Sequence, residues 1–205
     1  MIVPLKEVAK KFIKMIYKAI KKNLDLASRL ILSGEIIVYP TDTIYGFGVD
    51  ATNSEAINKL NALKNRISPL SITVDSEEMI RKYVNYNFNF SNKIKGFLPG
   101  AYTILLKNKN KFLPKEIGLD TGKIGVRIPD SKFIIQLVRL INKPIVTTSV
   151  NVHNSKPLND INMIYEKFNS INIFSNGINI DSKGSTILDC TSATMNVLRQ
   201  GDGII

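Results

Sequence analysis

Seven short segments set hydroxyls, amides or a cation beside an apolar run. They are PTDTIYGFG (40–48), KNRISPLS (64–71), PGAYTILLK (99–107), GVRIP (125–129), TTSVN (147–151), GSTILD (184–189) and VLRQG (197–201). Any one of them alone reads as a solvated loop. Together they supply cations that can neutralise an anion and small polar groups that can orient it, because arginine forks onto phosphate oxygens and lysine acts as a point charge. The whole chain leans the same way. Its 205 residues hold 28 Lys and Arg against 17 Asp and Glu, a net charge of +11. That excess attracts nucleotide phosphates, nucleic acid or an anionic membrane surface.

Other chemistries are poorly served. One cysteine, Cys190, and one histidine, His153, cannot build a Cys/His zinc site or an internal disulfide. They read as a small core residue and a loop residue. Gly46, Gly48 and Ala51 match G-x-G-x-x-A. However, Thr41 to Tyr45 separate the preceding strand from the first glycine and no helix opens on the turn, so the dinucleotide fingerprint fails. No P-loop sequence is present. No apolar run approaches the ~20 residues that span a bilayer, and the start MIVPLKEVAKK lacks a signal-peptide core. The expectation is a soluble, reduced, cytoplasmic protein.

The elements that must position the seven segments follow from periodicity. Leu5, Val8, Phe12, Met15, Ile16 and Ala19 recur at helical spacing and predict a basic N-terminal helix within residues 5–22. A second helix over about 23–33 should stop at Gly34. EIIVYP (35–40) reads as a strand feeding the loop TDTIYGFGVDA. Thr52 and Glu55 have capping-box spacing ahead of a helix with Ala56, Ile57, Leu60 and Leu63 on one face, which delivers Lys64 and Arg66 at its end. SITV (71–74), AYTILLK (101–107), KIGVRI (123–128) and PIVTTS (144–149) are strand candidates, with a lysine-rich loop between the second and third. Residues 76–98, 131–141 and 159–168 read as helical, and INIFS, STILDC and MNVLRQ as late strands. Alternation early and strands late predict a single α/β domain with a mixed sheet.

In this order the segments resemble the YrdC-like threonylcarbamoyl-adenylate synthases. That family carries P-T-[DE]-T-x-Y-G-[LF]-G, K-x-R followed by P-L, P-G-x-x-T, V-R-x-P, S-x-N, G-x-x-S-T and L-R-x-G. Residues 35–203 carry these segments in order, with Gly184-Ser185-Thr186 standing for G-x-x-S-T and PTDTIYGFGVDA being the most specific. The resemblance implies a YrdC-like twisted mixed sheet with flanking helices and a concave basic cavity. It implies an enzyme, a nucleotidyltransferase that makes threonylcarbamoyl-AMP and pyrophosphate from L-threonine, bicarbonate and ATP. The product serves threonylcarbamoyl modification of the tRNA adenosine next to the anticodon through a downstream transferase complex. Mg²⁺ is expected with the triphosphate, held by phosphate oxygens and water.

Residue by residue, the resemblance places Arg66, Ser68, Asn151 and Arg199 on ATP, with Lys64 and Arg66 as the catalytic cations and Arg127 lining the same cavity. Thr43, Thr103, Ser149 and Ser185 match threonine-binding positions, and Lys107 a basic position facing the threonine carboxylate. Neither step demands a histidine; both demand cations and in-line positioning. The chain departs from the pattern in three places: only two residues separate Arg66 from Pro69, Thr73 stands where histidine is frequent, and S-x-N is filled by Val150. Ending at Ile205, the chain matches the family's single-domain form. Two other readings compete: a double-stranded RNA-binding module without activity, and a related carbamoyl-phosphate or acyl-adenylate enzyme.

Overall fold

A computed structural model describes residues 15–66, 68–85, 94–109, 111–119, 121–152, 155–177, 181–192 and 194–205. Most of the predicted N-terminal helix, the middle of 76–98 and His153 lie outside the described residues. Ten strands form one twisted mixed sheet: β1 (Ile16–Lys18), β2 (Ile37–Tyr39), β3 (Gly46–Gly48), β4 (Ser71–Thr73), β5 (Tyr102–Lys107), β6 (Lys123–Arg127), β7 (Ile145–Ser149), β8 (Asn172–Ser175), β9 (Thr186–Asp189) and β10 (Asn196–Arg199). Their order is β1-β8-β2-β3-β7-β4-β6-β5-β9-β10. Four parallel and five antiparallel pairs make it a mixed sheet, as the pattern of elements predicted.

The helices are α1 (Leu24–Leu32), α2 (Ser54–Lys64), α3 (Glu77–Tyr83), α4 (Lys115–Gly118), α5 (Lys132–Ile141) and α6 (Ile161–Lys167). Helix α5 buries Phe133, Ile134, Leu137, Val138 and Ile141, a stripe at three- and four-residue spacing, and packs on α1, which buries Leu24, Ala27 and Ile31. Both α2 and α5 end on an asparagine in the left-handed region, Asn65 (φ 50°) and Asn142 (φ 51°), where Asn tolerates the conformation better than most side chains. None of the described helices is long and apolar enough to cross a membrane.

Four local expectations are corrected. Ile16–Lys18 is a strand, not a helix end: it pairs in parallel with β8, and Tyr17 stacks on Phe174 with ring centroids 5.5 Å apart. Gly46–Gly48 is a strand inside the anticipated loop, hydrogen-bonded to β2 and β7. Gly48 must be glycine because a Cβ there would meet the Tyr39 ring at 2.7 Å and Ile145 at 2.9 Å. Helix α2 is capped by Asn53, whose side chain accepts from Ala56 N at 3.0 Å, while Thr52 donates to Asp50 instead. The lysine-rich connection before β6 contains the helical turn α4.

Candidate functional site

Strand register builds the site. Across seven consecutive strands, Gly46 faces Ser149, Thr147 faces Ser71, Ser71 faces Gly125, Gly125 faces Leu105, Thr103 faces Ile187, and Ile187 faces Arg199. Residues in register share a face of a sheet, so these positions form one stripe running across the strands. Above it lies a recess of about 240 Å³. Every one of the seven sequence segments contributes to its lining, through Thr41, Arg66, Thr103, Arg127, Ser149, Ser185 and Arg199 among others. Gly125 keeps the floor open: a Cβ there would collide with Ser71 Oγ and press on Thr103 Cγ2 at 3.1 Å.

No Asp or Glu is among the described lining residues, whereas Arg66, Arg127, Lys183 and Arg199 are. A larger hollow of about 400 Å³ beside α3 and α5 has the opposite character, with Asp75, Glu77 and Asp130 on its rim against Lys132. The smaller, basic recess is therefore the candidate anion site.

The cations differ in how they are held. Arg127 is buried; its Nη2 bonds Asp42 Oδ1 at 3.0 Å and Thr43 Oγ1 at 3.3 Å. Burial lowers its pKa and the Asp42 carboxylate opposes that shift. Asp42 is fixed in turn, since its other oxygen accepts from Asp130 N at 3.1 Å. Arg199 grips the Ser185 carbonyl through Nη2 (2.6 Å) and Nε (3.1 Å); burial and then the like charge of Arg127 lower its pKa. The Arg66 guanidinium, by contrast, has no hydrogen-bond partner among the described residues, and its Nε is buried. Arg127 Nε and Ser68 Oγ are also buried without partners. Unsatisfied buried donors are costly, so three of them in and beside a carboxylate-free recess point to an acceptor-rich ligand.

The hydroxyls are paired. Thr103 Oγ1 and Ser185 Oγ are 2.7 Å apart, and Thr41 Oγ1 and Thr43 Oγ1 are 3.0 Å apart. Thr103, Ser149 and Ser185 line the recess; Thr43 stands one layer behind it, holding Arg127 and Thr41.

Other expected site residues sit elsewhere. Lys64 does not line the recess. Its ammonium is buried and donates to Ser149 O (2.5 Å), Asn151 O (3.0 Å) and Asn151 Oδ1 (2.6 Å), and burial with the like charge of Arg66 lowers its pKa to about 8. Asn151 is also committed, accepting from Ser149 Oγ (2.8 Å) and donating to Ser155 O (2.7 Å). Lys64 thus positions the S-x-N segment. Ser68 lies beside the recess, between Arg66 and Pro69, which do line it. Lys107 is exposed at the opposite end of β5 from Thr103, four residues or ~13 Å along the strand; the structure does not bring it to the site. Thr73 is buried on β4 with an unpartnered hydroxyl, and Val150 is buried away from the recess, as expected for the middle of S-x-N.

Sequence reasoning missed three contributors. Asp42 was overlooked as Arg127's partner, although it lies inside the most specific segment. Tyr45 lines the recess yet is buried, and its hydroxyl bonds Ser175 Oγ (2.9 Å) and Asn176 Oδ1 (3.0 Å). Lys183 lines the recess one residue before the GSTILD segment, and nothing in its spacing set it apart from other lysines.

Comparison with known proteins agrees with this geometry. A family model described as telomere recombination, grouping Sua5, YciO and YrdC, matches residues 29–201. The chain is 39% identical over 134 residues to a Methanocaldococcus jannaschii protein provisionally named threonylcarbamoyl-AMP synthase, covering 64% of this chain and 62% of that one. A Vibrio campbellii threonylcarbamoyl-AMP synthase is 27% identical over 187 residues, covering 88% of this chain and all of its own length. The crystal structure of Pyrococcus abyssi Sua5 complexed with L-threonine superposes with a TM-score of 0.84 at 24% identity, over 92% of this chain and 58% of Sua5. The chain thus spans under two thirds of the Methanocaldococcus and Pyrococcus proteins. It belongs to the Sua5/YciO/YrdC family.

Proposed function

We propose that this family member makes threonylcarbamoyl-AMP and pyrophosphate from L-threonine, bicarbonate and ATP, supplying the donor for threonylcarbamoyl modification of tRNA next to the anticodon. A downstream transferase complex consumes the product, and tRNA or double-stranded RNA contact through the basic surface is compatible with the +11 charge. The observation that carries the reading is the set of unpartnered buried donors, Arg66 Nε, Ser68 Oγ and Arg127 Nε, around a recess with no acidic lining.

In this scheme the threonine amine attacks bicarbonate, releasing water and leaving a carbamate. A carbamate oxygen then attacks the α-phosphorus in line and pyrophosphate departs. Arg66 and Arg199 offset charge on the triphosphate and on the leaving group. Thr103, Ser149 and Ser185 seat the amino acid by its polar groups. With Lys107 remote, the buried cation beside those hydroxyls is Arg127, which takes the threonine carboxylate. Lys64 fixes Ser149 and Asn151 rather than touching a reactant. Mg²⁺ would supply further charge neutralisation through the nucleotide's own oxygens and water. No group of three or more His, Cys, Asp or Glu among the described residues could hold a metal by itself.

The test is pyrophosphate release from ATP. It should require both L-threonine and bicarbonate and be largely lost in Arg66→Ala and Arg199→Ala. Release that ignores threonine, or strong RNA binding with no threonine-dependent turnover, overturns the proposal.

A further inference from the structure

We infer that Lys183 is an additional ligand for the distal phosphates of ATP, the two that leave as pyrophosphate, and that Asp202 is its positioning residue. The inference rests on the ATP reading of the recess. Lys183 lines that recess, yet its ammonium has no hydrogen-bond or ion-pair partner among the described residues.

The backbone beneath it is fixed. Asp202 accepts from Lys183 N at 2.9 Å through one carboxylate oxygen and from Ser182 Oγ through the other. Asp202 N donates to Gly184 O at 2.9 Å, and Gly184 N donates to Ser182 Oγ at 3.0 Å. Gly184 permits the turn with φ +81°, a conformation most side chains resist. Asp202 is therefore bonded to the backbone and to Ser182 of this turn, and no hydrogen bond or ion pair ties it to the Lys183 ammonium.

Its neighbours define the ligand. A Cβ on Gly184 would sit 3.5 Å from Arg199 Nη2, so the turn lies directly against the Arg199 guanidinium. Arg199 is already committed to the Ser185 carbonyl. A second, mobile point charge beside a pinned fork suits a ligand with charge spread over two groups, as in a diphosphate. A single carboxylate or monophosphate would leave one cation unused.

The test compares ATP, AMP, pyrophosphate and L-threonine binding by calorimetry to the full chain and to Lys183→Met, with Lys183→Arg and Asp202→Asn alongside. Lys183→Met should weaken ATP and pyrophosphate about tenfold, the loss of one charged hydrogen bond, and leave AMP, threonine and the melting temperature unchanged. Lys183→Arg should restore most of the affinity. Asp202→Asn should show a smaller loss with the same preference for ATP over AMP. Unchanged ATP affinity in Lys183→Met, or equal loss for AMP and ATP, overturns the inference while sparing the proposed function. An unsubstituted chain that binds no ATP overturns both.

Discussion

Two parts of the recess lining treat charge in opposite ways. On β6, β7 and the 41–44 loop, protein partners pin the polar groups: Arg127 Nη2 is held by Asp42 and Thr43, and Asn151 and Ser149 by Lys64, with Arg127 Nε left unpartnered. In the 65–69 segment and the 181–184 turn, Arg66 and Lys183 hold nothing among the described residues. The pinned side fixes a shape before any ligand arrives, which lowers the ordering cost of binding. The open side supplies charge that only a ligand can complete, and its contribution should fade as salt screens it. Shape and charge can therefore be broken separately.

The largest effect belongs to the pinned side. Asp42→Ala strands a buried guanidinium and should cost about 3–5 kcal/mol of stability, read from urea denaturation; a loss under ~1 kcal/mol would mean that the pair is not structural. Arg66→Ala, on the open side, should reduce threonine-dependent turnover about 100-fold with an unchanged unfolding midpoint. A shifted midpoint would erase the contrast. Gly125→Ala forces Ser71 and Thr103 outward from the floor and should cost about 1–3 kcal/mol, with threonine affinity falling alongside.

Lys64 sharpens the comparison through pH. Its proton leaves near pH 8, and a neutral amine has two N–H groups for three acceptors. Turnover should decline about fivefold as pH rises through that value, the worth of one hydrogen bond, and Lys64→Arg should move the decline upward. Between pH 8 and the unfolded value of about 10.4 the unfolded chain binds more protons, so this group makes stability rise with pH. A profile that falls together with stability would refute the assignment. Smallest of all, Lys59→Ala breaks only the exposed Lys59–Glu55 pair at 3.4 Å and should alter stability by less than about 0.5 kcal/mol.

How far the sequence reveals this arrangement depends on the range of the forces involved. The α5 stripe and the strands around 37–39, 71–73, 102–107 and 145–149 are local patterns and were legible. All seven polar segments do meet at one recess, as the family resemblance implied. Ile16–Lys18 defied its helical spacing because pairing with β8 supplies hydrogen bonds and an aromatic stack that periodicity cannot register. Gly46–Gly48 looked like loop because glycine is a poor strand former; here the approach of Tyr39 demands it. Lys183 lines the recess and Lys107 does not, for one reason. Reach into a recess depends on which end of a strand faces it, and residue type carries no record of that.

Because the stripe crosses the sheet from Gly46 to Arg199, the pocket exists only when distant stretches of polypeptide are aligned at once. No fragment should retain part of the activity, and one slipped strand should abolish all of it. Conversely, an occupant bridges both halves of the fold. Its binding should slow amide exchange in β3 and in β9 together, making the molecule's rigidity a direct reporter of occupancy.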